Sequence, residues 1–225
     1  MSGAESPASA DMLARLRRRL EQPLPGRAAQ SLFEPELAYG RHFGVPPHDV
    51  RRAAVAILVY PHEGAWHLAL TKRRDDLPAH PGQVSLPGGY VEAEETTKLA
   101  ALRELEEELA VPVDDDAVLG NLSPLYIFGT NFYVIPWVAG VERRPAFVPN
   151  PAEVGALFEV PIDFLLERAN CDIHHRTIRG IGQMVPHFAW RVDGAIEKVW
   201  GATAMILSEF LAVWDAAAMA VTEKE

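Results

Sequence analysis

A single cysteine, Cys171, stands in the 225-residue chain. One thiol cannot form an intramolecular disulfide, and cysteine-rich zinc sites and iron–sulfur clusters are excluded with it. So little cysteine leans towards a reducing compartment. No unbroken run approaches the roughly 18 apolar residues needed to cross a bilayer. The longest clean stretch, residues 53–60, suits a buried strand. Positive charge is also short: 21 Lys and Arg against 31 Asp and Glu leave a net charge of −10. A broad nucleic-acid binder shows the opposite balance, and an acidic protein that handles a polyanion needs a divalent cation or a local basic pocket. The first residues carry Glu5 and Asp11 with no apolar stretch, and the last four, Thr-Glu-Lys-Glu, are no peroxisomal signal. The expectation is a cytoplasmic protein with neither nucleic acid nor membrane as partner.

What is present suits a globular domain, with 48% hydrophobic and 23% charged residues. Residues 1–10 are small and polar. A helix is expected from Asp11 as N-cap, with Leu13, Leu16 and Leu20 on one stripe and Arg15, Arg17, Arg18 and Arg19 elsewhere. Those arginines read either as an anion- or membrane-facing set or as a solvated face of a docked helix. Residues 22–50, with several Pro and Gly, read as an ordered connection. Strands are expected at 53–60 and 66–71 around a His62-Glu63-Gly64-Ala65 loop, then at 118–122, 125–128, 132–139 and 156–160. A short helix follows at 161–168, then a hairpin of 184–192 and 196–200 around Asp193-Gly194, and a last helix over 202–218. The reading is an N-terminal extension, 1–50, whose short helix packs on the core, and one α/β domain, 51–220, with mixed strands.

The segment that carries chemistry runs from Leu86 to Val111. Pro87-Gly88-Gly89 breaks a strand, and a helix is expected over 96–109. At 100° per residue Leu102, Leu105 and Leu109 share the buried side. Glu104, Glu107 and Glu108 cluster about 140° from them, and Glu106 points about 150° away from that trio. Like charges at this spacing destabilise a helix by roughly 0.2–0.5 kcal/mol per pair. A solvated acidic face tolerates that; a cluster of hard oxygen donors turns it to advantage once Mg²⁺ or Mn²⁺ sits among them. Such an ion, shared with phosphate oxygens, suits hydrolysis of a phosphoanhydride.

Spacing favours the second reading. Gly89, Glu95, Arg103-Glu104-Leu105-Glu106-Glu107-Glu108 and Val111 closely resemble the Nudix box, G-x5-E-x7-R-E-U-x-E-E-x-G-U, U being a bulky aliphatic residue. Six of the seven fixed identities and both aliphatic positions are filled. Chance gives such a match on the order of 10⁻⁵ per chain, or about tenfold more for a Glu-rich one. The departure is Ala110, where the family has Gly in a position that commonly wants a left-handed backbone. Either Ala110 keeps that conformation at about 1 kcal/mol, or the helix runs on to Pro112. The resemblance implies an α/β/α sandwich with a mixed sheet and a Mg²⁺ or Mn²⁺ cofactor. It implies Glu104 and Glu108 as metal ligands, Glu107 as a third or water-mediated one, and the carbonyl of the Gly88-Gly89 turn completing the shell. It implies Glu95 and Arg103 as orienting residues, and a Glu (Glu107, Glu108 or Glu153) as general base.

The stretch before the box, Leu70-Thr71-Lys72-Arg73 through His80-Pro81-Gly82-Gln83-Val84-Ser85 to Pro87-Gly88-Gly89, is similar to the extra motif of the coenzyme A pyrophosphatase branch. Departures are Ala69, Arg74, Pro78 and Leu86, and Pro78 replaces an arginine suited to phosphate. Lys72, Arg73, Arg74, His80, Gln83 and Ser85 become candidate substrate contacts. A solvated strand end for the cations and a structural hydrogen bond for His80 are the competing readings. Asn150 to Pro161 and Val199 to Ala204 resemble further segments of that branch, so the likeness spans about residues 50–212. Glu153, where several Nudix enzymes place an extra acidic loop residue, becomes a candidate metal ligand or general base, with a solvated loop residue as the competing reading. It implies cleavage of coenzyme A or acyl-coenzyme A to 3′,5′-ADP and (acyl-)4′-phosphopantetheine, with a homodimer open. Other nucleoside diphosphate derivatives (ADP-ribose, NADH, a nucleoside triphosphate) and a silent binding module are the alternatives.

Overall fold

In the computed structural model, residues 7–78, 80–178 and 180–220 are described. The chain opens with helix α1 (Pro7–Leu20) and a single turn, α2 (Arg27–Gln30), followed by three short 3-10 turns. Asp11 is not the N-cap: α1 begins four residues earlier, and the Asp11 carboxylate pairs with Arg15 one turn on. Leu13, Leu16 and Leu20 are buried, as their spacing predicts. Arg17 donates to the carbonyls of Asp116 and Val118, so this arginine ties α1 to the domain.

The main sheet has eight strands: β1 (Arg51–His62), β2 (Ala65–Arg73), β3 (Val84–Ser85), β4 (Gly88–Tyr90), β5 (Val118–Asn121), β6 (Leu125–Ile127), β7 (Phe132–Gly140) and β8 (Val154–Pro161). Its central pair, β1 and β7, is parallel, and the other pairings are antiparallel, so the sheet is mixed. The β1–β2 turn places Glu63 and Gly64 both at positive φ, which matches the twist of a two-residue hairpin.

Alternation along β1 and β2 sorts two cores. Ala54, Ala56, Leu58, Tyr60 and Ala69 face helix α3 (Thr97–Leu109), against Ala100, Ala101, Leu105 and Leu109. Alanines on both sides let helix and sheet approach closely. Ile57, Val59, Leu68 and Leu70 face the other way, towards α1 and the last helix, α5 (Gly201–Met219). Helices cover both faces of the mixed sheet, as the α/β/α expectation requires.

Between β8 and α5 lie a short helix, α4 (Ile162–Leu166), and a separate three-stranded antiparallel sheet, β9 (Cys171–Ile178), β10 (Ile181–Val192) and β11 (Ala195–Trp200). The β10–β11 hairpin turns on Asp193 and Gly194, again both at positive φ. Strand β9 has no counterpart in the sequence reading. Helix α5 has the length and mean hydropathy of a membrane span, although Ser208, Glu209 and Asp215 interrupt its apolar run. It is a core helix here. Glu209, fully buried in its middle, accepts hydrogen bonds from Gln30 Nε2 (2.7 Å) and the amides of Gly26 (3.0 Å) and Ser123 (3.3 Å).

Candidate active site

Strand β4 pairs with β1 so that Gly88 lies opposite Val55 and Gly89 opposite Ala54. Neither position has room for a side chain. A Cβ on Gly88 would lie 2.4 Å from the Ala54 carbonyl, and one on Gly89 would lie 2.2 Å from Glu104 Oε1. The two glycines let the carboxylates of α3 rest directly on the backbone of the turn.

Helix α3 starts at Thr96, whose hydroxyl accepts the Leu99 amide at 3.2 Å. It ends at Leu109, and Ala110 follows at φ 55°, ψ 38°, its amide donating to the Glu106 carbonyl at 2.8 Å. Of the two expectations for Ala110, the left-handed one holds, and the helix does not run on to Pro112.

Arg103 is the hub of the acidic face. Its Nε and Nη2 fork onto Glu95 at 3.0 and 3.1 Å, and Nη1 reaches Glu104 at 2.9 Å and Glu107 at 3.0 Å. Nη2 also donates to the Tyr90 carbonyl at 2.9 Å. Glu95 accepts the Glu92 amide as well, and the Arg103 fork holds its carboxyl below the usual range. Glu107 is exposed, and Arg103 is the partner of its carboxylate.

Glu108 is different. It is 5% exposed, and its oxygens accept Thr71 Oγ1 at 2.9 Å and the Gly88 amide at 3.1 Å. Burial pushes its pKa up to about 7; the two hydrogen bonds oppose that shift, and the charges of Glu104 and Glu153 add to it. Burial also raises Glu104, against the pull of Arg103. The wheel set Glu108 apart from the buried stripe, yet it is buried beside Leu105 and Leu109, while Leu102 is only half-buried.

Glu153 reaches this face through a loop anchored on the end of α3. The amides of Val148 and Asn150 donate to the carbonyls of Leu109 and Glu108 at 3.0 and 2.8 Å. Asn150 then accepts the amides of Glu153 and Val154 on its carbonyl and that of Ala152 on Oδ1. Just past the end of β2, the Arg74 amide donates to the Glu153 carbonyl at 3.2 Å, and Arg74 Nη1 to the Pro151 carbonyl at 2.6 Å.

The charge of Glu153 is felt by both Glu104 and Glu108, and that of Glu104 by Glu108, so the three supply neighbouring hard oxygens that suit a small divalent cation. Among the described residues no three His, Cys, Asp or Glu side chains converge on a single point. Clefts of about 330 and 460 Å³ lie away from this face, beside β8 and β10 and beside the N-terminal extension.

The substrate candidates divide. Ser85 pairs with Thr71 across β2 and β3, so it shares the face on which Thr71 meets Glu108. Lys72 alternates to the opposite face and binds Glu197 of β11 at 2.8 Å. Arg74 forks onto Asp76 besides holding Pro151, so its donors are engaged within the protein. The Arg73 amide donates to the Gln83 carbonyl at 2.9 Å. Exposed His80, at φ 55°, meets Gln83 Oε1 at 3.1 Å. Two contributors were not among the candidates: Thr71 as donor to Glu108, and Glu197 as partner of Lys72. Period-two alternation along β2 was the signal available for both.

Residues 50–178 match the NUDIX domain family. The chain belongs to the Nudix hydrolase family. A protein of Pectobacterium atrosepticum named uncharacterized Nudix hydrolase NudL is 36% identical over 168 residues, covering 73% of this chain and 83% of that one. A Yersinia pestis protein of the same name is 37% identical over 161 residues, covering 70% and 76%. The crystal structure of a MutT/nudix family protein from Enterococcus faecalis matches with a TM-score of 0.51 over 95% of this chain and 76% of that one, at 15% identity, a likeness of fold. This Nudix hydrolase is therefore an enzyme acting on pyrophosphate bonds of small nucleotide substrates with a divalent metal ion.

Proposed function

We propose that this Nudix hydrolase cleaves coenzyme A or acyl-coenzyme A to 3′,5′-ADP and (acyl-)4′-phosphopantetheine, with Mg²⁺ or Mn²⁺. One observation carries the reading. The His80–Ser85 loop, whose wording resembles the coenzyme A branch, leads into β3, where Ser85 shares the face of Thr71 and Glu108. Water adds to one phosphorus of the anhydride, the bond from that phosphorus to the bridging oxygen breaks, and a carboxylate takes the proton. Glu107, Glu108 and Glu153 are the candidates for that proton. Glu104, Glu108 and Glu153 would hold the divalent ion, with Glu107 and the Gly88 carbonyl as further donors. When bound, the ion offsets phosphate charge and acidifies water. Arg103 and Glu95 keep the acidic face in shape.

A second reading, another nucleoside diphosphate derivative such as ADP-ribose or NADH, is favoured by the ion pair that engages Lys72 and by Pro78 in place of arginine. Product analysis separates them. The protein is incubated with coenzyme A, ADP-ribose, NADH and dGTP, each with Mg²⁺ or Mn²⁺, and products are resolved by chromatography with mass detection. The expected result is 3′,5′-ADP from coenzyme A, formed faster than any other product. Preferred turnover of another compound overturns the coenzyme A assignment.

A further inference from the structure

The outer face of the β9–β11 sheet gathers positive charge in a protein of net charge −10. Register sets its residues side by side. Arg176 lies opposite Gln183, His174 opposite Val185, and Asp172 and Trp200 flank His187. Lys198 lies opposite Ala189, and Ile196 opposite Arg191. Directly opposed residues share a face, so Arg176, His174, His187, Lys198, Arg191 and Trp200 all look the same way.

The face is shaped. Val185 and His187, 0% and 2% exposed, form its floor. The Arg176 guanidinium crosses above them and stacks on Trp200, 4.0 Å from the ring centroid. His174 and His187 meet through their Nδ1 atoms at 3.1 Å. Arg176, Arg191 and Lys198 have no ion-pair partner among the described residues. The one acid on the face, Asp172, has an oxygen bonded to the Ile173 amide. Burial and Lys198 hold both histidines below their usual pKa, so the cations are close enough to be felt.

We propose that this face is a binding site for a phosphate ester, held by Arg176 and Lys198 above the His174–His187 pair. Arg176 and Lys198 stand six residues apart along β10, opposite Gln183 and Ala189, but the Arg176 guanidinium reaches diagonally across the face to Trp200, two residues (about 7 Å) from Lys198 on the same side of β11, a span that one phosphate or pyrophosphate group bridges. A planar fork and a point charge are the donors that phosphate takes. The site lies outside the carboxylate face and stands whatever the enzyme's substrate is.

The test is calorimetry of the full chain with 3′,5′-ADP and with inorganic pyrophosphate, in EDTA so that metal-dependent binding at the carboxylates is silent. Saturable binding that weakens at least tenfold in Arg176→Gln/Lys198→Gln is expected. Absence of binding, or equal affinity in that variant, overturns the site. If the double variant does not fold, Lys198→Gln alone and Arg176→Lys, which keeps charge but loses the flat stack, give the same comparison. KM values for coenzyme A and dephospho-coenzyme A then distinguish the sources. A rise in the double variant for coenzyme A alone means that the substrate's third phosphate sits here. Unchanged KM beside lost binding means a free phosphate ester. If neither compound is turned over, the coenzyme A reading fails and the calorimetry still decides this site.

Discussion

The Gly88 amide points at the buried carboxylate of Glu108, 3.1 Å away, and thereby couples the turn after β3 to the last turn of α3. The same carboxylate takes the Thr71 hydroxyl from β2, so one side chain draws three elements together at the acidic face. Two neutral donors do not replace the water that an ionised carboxylate loses on burial. Glu108 is a residue kept at a cost to the metal-free fold.

That cost has a sign. The folded pKa of about 7 lies above the ordinary 4.5, so the stability contribution of Glu108 is fully present below about 4.5 and lost as pH rises through about 7. The interval corresponds to about 3 kcal/mol. Glu108→Gln is expected to lower kcat on the order of 10³-fold, about 4 kcal/mol of barrier. In EDTA at pH 8 the same variant is expected to melt above the wild type, and to melt near it at pH 4.5. Near-wild-type turnover would remove Glu108 from the metal site, and equal melting curves at pH 8 would remove its burial cost.

Arg103 makes five hydrogen bonds, four of them to three carboxylates. A lysine reaches one partner at a time and has no planar fork. Arg103→Lys is therefore expected to behave like Arg103→Gln, losing about 2 kcal/mol, a drop in Tm of about 4–8 °C. Apparent affinity for Mg²⁺ should fall in both, because Glu104 and Glu107 are released. Full rescue by lysine would show that charge alone, without geometry, keeps the face in order.

The box was legible because its identities sit at fixed spacing, and both hairpin turns because Glu63-Gly64 and Asp193-Gly194 follow turn chemistry. Strand β9 was not: Cys-Asp-Ile-His-His-Arg-Thr-Ile puts polar groups on both faces, so no alternation of apolar residues marks it. The burial of Glu108 escaped the helical wheel because the residue lies at the edge of the stripe, and the Thr71 hydroxyl that meets it belongs to a strand distant in sequence. Lys72 looked like a phosphate ligand beside Arg73 and Arg74, whereas strand alternation turns it towards Glu197.

Arg74 separates two roles by kinetics. As a phosphate contact its loss would raise KM. The structure instead spends its side chain on Asp76 and the Pro151 carbonyl, and its amide on Glu153. Arg74→Ala is expected to lower kcat about tenfold with KM unchanged, since a small misplacement of a reacting group costs rate rather than binding. An increase in KM alone would return Arg74 to the substrate.

Ala110 carries the one departure from the box pattern and adopts the conformation that the pattern's glycine favours. Its left-handed backbone costs about 1 kcal/mol that glycine would not pay. The amide bond to Glu106 and the loop bonds to the carbonyls of Glu108 and Leu109 hold it there. Ala110→Gly is expected to raise Tm by about 2–4 °C, because relief of strain outweighs the extra freedom gained by the unfolded chain. Turnover should not change, since no carboxylate moves. A lower Tm would mean that alanine's restriction of the unfolded chain outweighs the strain, and a changed kcat would mean that the loop carrying Glu153 responds to the end of α3.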